Sequence, residues 1–369
     1  MLHLNNKLVF SKLIGEISGR FIQQTCSKYS GDYRTQHFDT QSHLYALLYS
    51  NFRNCKSLRE LQIEISSNKK LNNLINVPSL SQFSRKNASR DYRIFEDIFY
   101  HLVNKAKRKF GEVKLSKECL PLKIVDSSVV LVALKLAPSL QIDSERAGIK
   151  VSTLFNGEFP EKVAIVNGKV NDRKCIDGMF DQKGCIYLFD RGYYDYRWYD
   201  KLSEKGIKFV TRGIKNSIVM EEKLRDSDLK KDIYDAEVTM GSTPGGNLTF
   251  KNYREIMTFN EKGEPITFIT NIMDLTKEEI ILLYKKRWEI ELFFKWIKQN
   301  LRVKKFIGYN ENAIKIQLYA ALITYMLMYL QCKLFKPNIK YEMLKITRII
   351  RVNLLEYWNE DILRMIRIT

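Results

Sequence analysis

Near residue 120 the pattern of apolar residues changes, and this change limits the fold more than any other property of the sequence. Before it, apolar residues recur at helical spacing in segments separated by loop signals. These segments are 10–29, 40–55, 57–74 and 91–110. After it come short runs rich in Val, Ile and Leu, which are typical of strands. We therefore expect an all-helical N-terminal domain over residues 1–115, followed by an α/β domain from residue 116.

The strand-like runs of the second domain alternate with helical stretches, a pattern that favours a sheet covered by helices. The runs are 122–134, 150–155, 162–166 and 185–189, and residues 195–205 are helical. From about 213 to 270 the chain is again strand-like, with Gly and Pro at 241–246, which predicts a β-rich insertion. Thr276 and Glu279 are spaced as a capping box, as are Ser57 and Glu60. The α/β domain is expected to end near 335, before a C-terminal helical segment over 336–369.

The charge of the chain indicates its class of partner. Lys and Arg number 61 against 42 Asp and Glu, a formal net charge of +19. A basic soluble protein would account for this, and so would a surface for nucleic acid or anionic lipid. The 20 Tyr and 20 Phe interleaved with basic residues favour nucleic acid. In the N-terminal domain, Arg85 and Lys86 are candidates for DNA contacts.

The remaining composition argues against a membrane protein and against a histidine metal site. The most apolar window, Leu318–Leu330, is shorter than the roughly 20 residues that span a bilayer, so we expect a buried helix and no membrane partner. The six Cys form no C-x-x-C pair and are typical of reduced thiols in a cytoplasmic protein. The four His all lie before residue 102, so metal chemistry in the α/β domain must use oxygen ligands.

Two strand-like runs of the α/β domain each end in a single acid. Asp126 ends the run from Leu122, and Asp190 ends the run from Cys185. A charge at the edge of an apolar strand is costly unless it is paired or bound to metal, and functional groups of α/β sheets gather at strand ends. Either aspartate could instead cap a turn. Two of them in one sheet favour a functional site.

A predicted helix over 277–301 carries the third acid. At about 100° per residue, one stripe of roughly 60° contains an acid, a tyrosine and cations, while the opposite side is apolar. The stripe consists of Tyr284, Arg287, Glu291 and Lys298, joined by Lys295. Ordinary ion pairs on a solvated helix face are the alternative explanation.

These residue types suit one chemistry, the cleavage of phosphodiesters by metal ions. Carboxylates from different elements can hold two Mg²⁺ or Mn²⁺ ions about 4 Å apart, which activate the nucleophile and stabilise the leaving oxygen. Neighbouring Arg and Lys would orient the phosphates, and an aromatic could stack on the strand. Two strand-end aspartates and a helical glutamate with cationic neighbours match this requirement.

The same residues carry a resemblance to a known family. Tyr284, Arg287, Glu291 and Lys298 match Y-x2-R-x3-E-x6-K, the signature of the insertion-sequence-four group of bacterial transposases. The segment Asp190-Arg191-Gly-Tyr resembles the second-aspartate block of that group, and Val-Asp126-Ser resembles the first. Residues 81–96 resemble the helical domain that precedes the catalytic domain in many members. The resemblance covers nearly the whole chain.

The resemblance implies a fold and a site. It implies an RNase H-like core in which Asp126, Asp190 and Glu291 bind two Mg²⁺ or Mn²⁺ ions. The helix stripe and Arg191 would then hold the DNA end. Members often carry a His where Ser152 stands, and Tyr253 and Phe250 are candidates for a base-stacking aromatic in the insertion.

The resemblance also implies an activity and its partners. The chain would bind the inverted repeats of a mobile element, cut the DNA at its ends and join the 3′-hydroxyls to target DNA. Double-stranded DNA is the expected partner, a homodimer the expected state on DNA, and the bacterial cytoplasm, at the nucleoid, the expected place. Two alternatives stay open: a catalytically silent, transposase-derived DNA-binding protein, and an RNase H-like nuclease without strand transfer.

Overall fold

The computed structural model describes residues 7–114, 120–214, 218–228, 233–242, 247–300, 306–335 and 343–368. The chain divides into two compact units. The helical unit comprises Met1–Gly111, Val130–Ile149 and Phe294–Thr369, and the α/β unit comprises Glu112–Val129 and Lys150–Phe293. By packing, therefore, the last helices group with the N-terminal ones. The functional domains expected from the sequence, 1–115, 116–335 and 336–369, stay a prediction, and the boundary at 336 lies outside the described residues.

The described part of the helical unit begins with seven helices. They are α1 Val9–Ile14, α2 Gly19–Lys28, α3 Thr40–Arg53, α4 Leu58–Ser67, α5 Lys69–Asn72, α6 Leu80–Ser89 and α7 Arg93–Phe110. Of these, α2 to α6 have a side-chain cap at the N-terminus. The single helix expected over 10–29 is wrong, because Ser18 caps a new helix by accepting a hydrogen bond from Phe21 N. The stretch 57–74 likewise divides at Asn68, which caps α5.

The expected capping box at Ser57 is only half present. The Ser57 hydroxyl accepts from Glu60 N at 3.1 Å, but the Glu60 carboxylate accepts from Lys56 N rather than from Ser57 N. A complete box starts α6, where the side chain of Ser79 accepts from Gln82 N and that of Gln82 accepts from Ser79 N. Each cap satisfies a backbone donor that the first helical turn leaves free.

The α/β unit is built on one sheet. In chain order its elements are β1 Leu122–Val132, β2 Ala147–Phe155, β3 Pro160–Asn167, α8 Asp172–Ile176, β4 Ile186–Phe189, α9 Tyr196–Glu204, β5 Lys208–Arg212, β6 Val219–Asp228, β7 Ile233–Ser242, β8 Asn247–Leu248, β9 Tyr253–Phe259, β10 Pro265–Thr270 and α10 Lys277–Lys285. The described strands join in the order β3-β2-β1-β4-β5-β10-β9-β7-β6, with β8 on β7. The strands after residue 213 thus extend the same sheet instead of forming a separate one.

Two sequence expectations about this unit are wrong in ways that affect the site. The strand that starts at Leu122 does not end at Asp126 but continues to Val132. The helix expected over 277–301 is two helices, α10 and α11 Trp288–Asn300, and its last expected residue lies outside the described ranges. Between them, Arg287 N donates to Tyr284 O and Glu289 N donates to Lys286 O, three residues apart. Such bonds tighten a helix into one 3₁₀ turn. The capping box expected at Thr276 and Glu279 is confirmed.

A long apolar helix lies at the centre of the helical unit. The last helices are α12 Glu311–Phe335, α13 Met343–Val352 and α14 Glu360–Ile368. By length and composition, one described helix qualifies as a membrane span, Glu311–Leu334, yet 89% of its apolar window is buried inside the protein. It packs against α7, α3 and α6. The ring of Tyr319 on α12 stacks on the ring of Tyr92, which directly precedes α7. The prediction of a buried helix over 318–330 is confirmed.

Candidate active site

The register of two neighbouring strands places Asp126 beside Asp190. β1 and β4 run parallel, and their last paired residues are Val125 and Phe189. Asp126 and Asp190 are the next residues on each strand. Because parallel strands in register stay about 4.8 Å apart, two residues at equal positions are neighbours. The two aspartates that the sequence singled out therefore come together at one position of the sheet.

Asp190 is held by the turn that follows β4. Residues Arg191–Tyr193 form a single 3₁₀ turn, and the Asp190 carboxylate caps it by accepting from Arg191 N at 2.8 Å. Tyr193 N donates to Asp190 O at 3.1 Å, which closes the turn. The Arg191 side chain is exposed. The sequence Asp-Arg-Gly-Tyr thus fixes one carboxylate and leaves a cation free to face solvent.

Glu291 meets the aspartates through Arg287. Arg287 Nη1 lies 3.5 Å from Asp126 Oδ2, and its Nη2 donates to Glu291 Oε1. Arg287 stands at the 3₁₀ turn between α10 and α11, and Glu291 follows one helical turn later. Its guanidinium also lies 5.7 Å from the ring of Tyr284, which packs on Phe268. One cation therefore connects acids from a strand and from a helix.

The electrostatics show that the three carboxylates share one environment. Burial raises the pKa of Asp126 to about 6, and the charges of Asp190 and Glu291 act in the same direction. The Ser127 amide and Arg287 oppose that rise in pKa. Near neutral pH this cluster of three acids and one arginine carries a charge of about −2, which favours the binding of additional cations.

Two hydrogen-bond donors of the site are buried and without an acceptor. Within the described residues, Tyr284 Oη and Arg287 Nε have no hydrogen-bond partner. Burial raises the pKa of Tyr284, so its hydroxyl stays protonated. A buried donor without an acceptor costs about 1–3 kcal/mol, which a bound anion can offset. These donors are suited to oxygen atoms of a phosphate.

The other predicted residues are placed as follows. Lys295 is exposed and Lys298 is half-buried, both on α11 beyond Glu291. In the helical unit, Arg85 is exposed on α6, while Lys86 donates to Thr35 Oγ1 at 2.5 Å. The structure brings Asp126, Asp190, Tyr284, Arg287 and Glu291 together in the α/β unit.

The two aromatic candidates of the insertion differ sharply. Tyr253 is fully buried, and its hydroxyl donates to Asp200 Oδ1 at 2.8 Å, so its interpretation as a base-stacking residue is wrong. Phe250 is 79% exposed and stays a candidate. Trp288, which the sequence argument did not assign, is 59% exposed and follows Arg287 directly. Its position one residue beyond a signature arginine was the signal that could have identified it.

The comparisons with known proteins give the family. The family model of the transposase DDE domain matches residues 118–327, more than half of the chain. This chain belongs to the DDE-domain transposases. A second model, a domain of unknown function (DUF4372), matches residues 5–74.

The relatives of this DDE transposase carry names of the same class. The transposase y4zB of Sinorhizobium fredii is 29% identical over 70% of this chain and 72% of its own length. The transposase of insertion sequence element IS5377 from Geobacillus stearothermophilus is 28% identical over 67% and 66%. That of element IS4SA from Synechocystis is 29% identical over 70% and 74%. The chain is thus a bacterial insertion-sequence transposase, a DNA transposase enzyme.

Among solved structures, the piggyBac transposase in a synaptic complex with hairpin DNA aligns with 96% of this chain and 80% of its own. The sequence identity is 10% and the TM-score is 0.45.

DDE transposases depend in general on divalent metal ions, and the donor set of this one fits them. Asp126, Asp190 and Glu291 offer only oxygen ligands, which Mg²⁺ and Mn²⁺ prefer, and the cluster stays negatively charged even with Arg287 included. No group of three His, Cys, Asp or Glu side chains lies at metal-binding distance within the described ranges.

Proposed function

We propose that Asp126, Asp190 and Glu291 catalyse both the cleavage of DNA at the ends of the element and the joining of those ends to target DNA. The observation that carries the proposal is the meeting of the two aspartates with Glu291 around Arg287. Hydrolysis and joining are both in-line displacements at phosphorus, so one site serves both. In the first, water releases a 3′-hydroxyl; in the second, that hydroxyl attacks a target phosphate.

The three carboxylates would hold two Mg²⁺ or Mn²⁺ ions. Bound divalent ions supply Lewis acidity, activating a nucleophile and stabilising the leaving oxygen. The remaining roles fall to the chain itself. Tyr284 Oη and Arg287 Nε, which lack acceptors among the described residues, would donate to phosphate oxygens and fix the scissile strand. The exposed Arg191 and Lys295, and Lys298 further along α11, would attract the DNA end.

An RNase H-like core is the arrangement that we propose for strands β1 to β5. Its support is a parallel set, β1–β4–β5, flanked by β2 and β3, with an acid at the end of the pairing between β1 and β4. The strands from β6 to β10 would then be the insertion that separates the second acid from Glu291. Asp126 and Asp190, distant in sequence, would then lie on neighbouring interior strands, where the pairing of β1 and β4 ends.

Trp288 is proposed as an aromatic that stacks on a DNA base. A large exposed aromatic next to a phosphate-binding arginine is suited to this role, and such stacking is worth about 1–3 kcal/mol per base. Trp288→Ala is expected to weaken binding of a DNA end by about tenfold or more without altering the melting temperature. Phe250→Ala, which removes the other exposed aromatic candidate, is measured for comparison. Equal affinity of wild type and Trp288→Ala for the DNA end would show that Trp288 is not part of the site.

The helical unit is proposed to bind the inverted repeats, as a homodimer on DNA, at the bacterial nucleoid. The net charge of +19 and the exposed Arg85 support the proposal. Binding should weaken steeply with added salt, because each neutralised phosphate releases counterions. Fluorescence anisotropy with an end duplex at several salt concentrations measures this slope. A flat dependence would argue against the basic surface as the DNA site.

The decisive experiment is cleavage and joining on a linear DNA that carries the inverted repeats of the element, with Mg²⁺ or Mn²⁺. Asp126→Ala, Asp190→Ala and Glu291→Ala should each abolish cutting while DNA binding persists. Glu278→Ala and Asp177→Ala, which remove exposed acids, serve as controls. If the three variants cut as well as wild type, the assignment fails. Wild type that binds but never cuts would favour a silent DNA-binding protein, and cutting without joined products would favour a plain nuclease.

A further inference from the structure

The two aspartate-bearing segments lose their backbone pairing at the point where they carry their carboxylates. The parallel pairing of β1 and β4 ends with Val125 and Phe189. Beyond it, the chain after Phe189 turns into the 3₁₀ turn, while β1 continues to Val132. The distance between Asp126 and Asp190 therefore needs support from side chains.

A chain of hydroxyl groups spans this divergence. Ser127 Oγ lies 2.8 Å from Tyr193 Oη and 2.7 Å from Ser152 Oγ, both hydrogen-bond distances. Ser127 follows Asp126, and Tyr193 is bonded through its backbone to Asp190. Ser152 lies on β2, on the other side of β1. We call these three residues the hydroxyl bridge.

Two members of the hydroxyl bridge are buried, and the third, Ser127, is half-buried. Tyr193 is 5% exposed and Ser152 is fully buried. The ring of Tyr193 packs edge-on against Phe189, and burial raises the pKa of Tyr193, so the phenol stays neutral. A neutral, buried hydrogen bond loses its full value when one partner is removed, because the other partner is left unsatisfied.

The hydroxyl bridge does not itself reach the reacting atoms. Successive side chains of a strand point to opposite faces, so Ser127 and Asp126 project from opposite sides of β1. Ser127 nevertheless touches Asp126 through its backbone, since Ser127 N donates to Asp126 Oδ1 at 2.8 Å. The members of the hydroxyl bridge are therefore positioning residues.

We propose that the hydroxyl bridge of Ser127, Tyr193 and Ser152 fixes the separation and orientation of the Asp126 and Asp190 carboxylates, and so sets the affinity of the site for divalent metal. The inference rests on the proposed function. Partners that orient metal ligands typically contribute about 10–100-fold in metal affinity or activity.

The test uses neighbouring residues as controls. Tyr193→Phe and Ser127→Ala each remove one hydroxyl of the bridge. Tyr194→Phe removes the hydroxyl of the next, half-buried tyrosine. Thr153→Val removes a buried hydroxyl that has no hydrogen-bond partner in the described parts of the chain. Each full-length protein is titrated with Mn²⁺ by calorimetry without DNA, and its thermal unfolding is recorded.

Tyr193→Phe and Ser127→Ala are expected to bind Mn²⁺ about 10–100-fold more weakly than wild type, and both controls like wild type. In cleavage assays the two variants should require more Mn²⁺, with a smaller loss of rate at saturation. Ser127→Thr keeps the hydroxyl and should restore the affinity. Ser152→Ala leaves the bond between Ser127 and Tyr193 and should weaken binding less.

Wild-type Mn²⁺ affinity in both Tyr193→Phe and Ser127→Ala would overturn the inference and leave the proposed function standing. Equal losses of Mn²⁺ affinity in Tyr194→Phe and Thr153→Val would also overturn it, because removal of any hydroxyl would then weaken Mn²⁺ binding. Wild type that binds no Mn²⁺ and cuts no DNA would overturn the proposed function itself.

Discussion

Two charged clusters of the α/β unit differ in how far their charges are balanced and their hydrogen-bond donors are used. In the first, Arg287 pairs with the carboxylates of Asp126 and Glu291, the charge of Asp190 adds to theirs, and two buried donors have no acceptor among the described residues. In the second, Arg254 pairs with Asp235 through two hydrogen bonds of 2.8 and 2.6 Å, and both are almost fully buried. Arg254 also donates to the carbonyls of Ile272 and Leu275.

The difference distinguishes a structural cluster from a functional one. The opposite charges of the second cluster cancel, and Nε, Nη1 and Nη2 of Arg254 all donate within the protein. This pair connects β7 and β9 to the segment before α10. A cluster with excess charge of one sign and unused donors is costly by itself and gains when ligands arrive.

Glu291→Gln should lower the rate of strand cleavage by about 10³-fold or more, equivalent to about 4 kcal/mol in the activation barrier. The amide keeps the shape of the side chain but removes a metal-binding charge. Single-turnover cleavage of an end duplex measures the rate, and thermal unfolding should show little change. A rate within tenfold of wild type would place the third acid elsewhere.

Arg254→Ala should reduce the free energy of unfolding by about 3–5 kcal/mol, because it leaves the buried Asp235 carboxylate without a partner. Urea unfolding of the full-length protein measures this. The double variant Arg254→Met with Asp235→Leu is the control and should recover most of the loss, since no unpaired charge remains. If Arg254→Ala is as stable as wild type, the contrast between the two clusters fails.

Asp126→Asn should stabilise the metal-free protein by on the order of 1–3 kcal/mol near pH 7. The folded pKa of Asp126, about 6, exceeds its ordinary value of 3.8, so the ionised carboxylate destabilises the fold above pH 6. As the pH falls from 6 towards 4, the folded protein takes up the proton first and the difference between variant and wild type disappears. Melting temperatures across this range in a chelator measure the effect. A variant less stable than wild type at pH 7 would contradict it.

Arg287→Gln should have the smallest effect on stability, a loss of about 1 kcal/mol in the metal-free protein. The variant leaves Asp126 and Glu291 without their shared cation, so Mn²⁺ should raise its melting temperature more than it raises that of wild type. Glu289→Gln, on α11 two residues after Arg287, is the control. If Mn²⁺ raised the melting temperature of wild type more than that of Arg287→Gln, Arg287 would not be neutralising the carboxylates.

The sequence predicted the parts of the site that follow from local pattern. Apolar runs before Asp126 and Asp190 identified both strands, and the register then made the aspartates neighbours. The helix around Glu291 was recognised from its stripe. Its break at Arg287 was not, because a 3₁₀ turn changes the hydrogen-bond spacing without any Gly or Pro to mark it.

Contacts between elements distant in sequence could not be predicted. Ser127, Ser152 and Tyr193 come from three elements and are common residue types, so no spacing indicates that their hydroxyls meet. The end of β1 was wrongly placed at Asp126, although the strand-like run continues to 134. An acid inside an apolar run has the same local pattern as an acid at a strand end.

The burial of α12 has a consequence for how the protein is made. Most of the helix lies within the residues that match the DDE domain, yet it packs against α3, α6 and α7 near the start of the chain. Tyr319 Oη donates to Glu96, and the ring of Tyr329 packs on Phe110. During synthesis, about 200 residues must therefore be added after α7 before α12 can cover the apolar faces of the first helices. A transposase shortened to its N-terminal helices would lack that covering helix and expose their apolar faces.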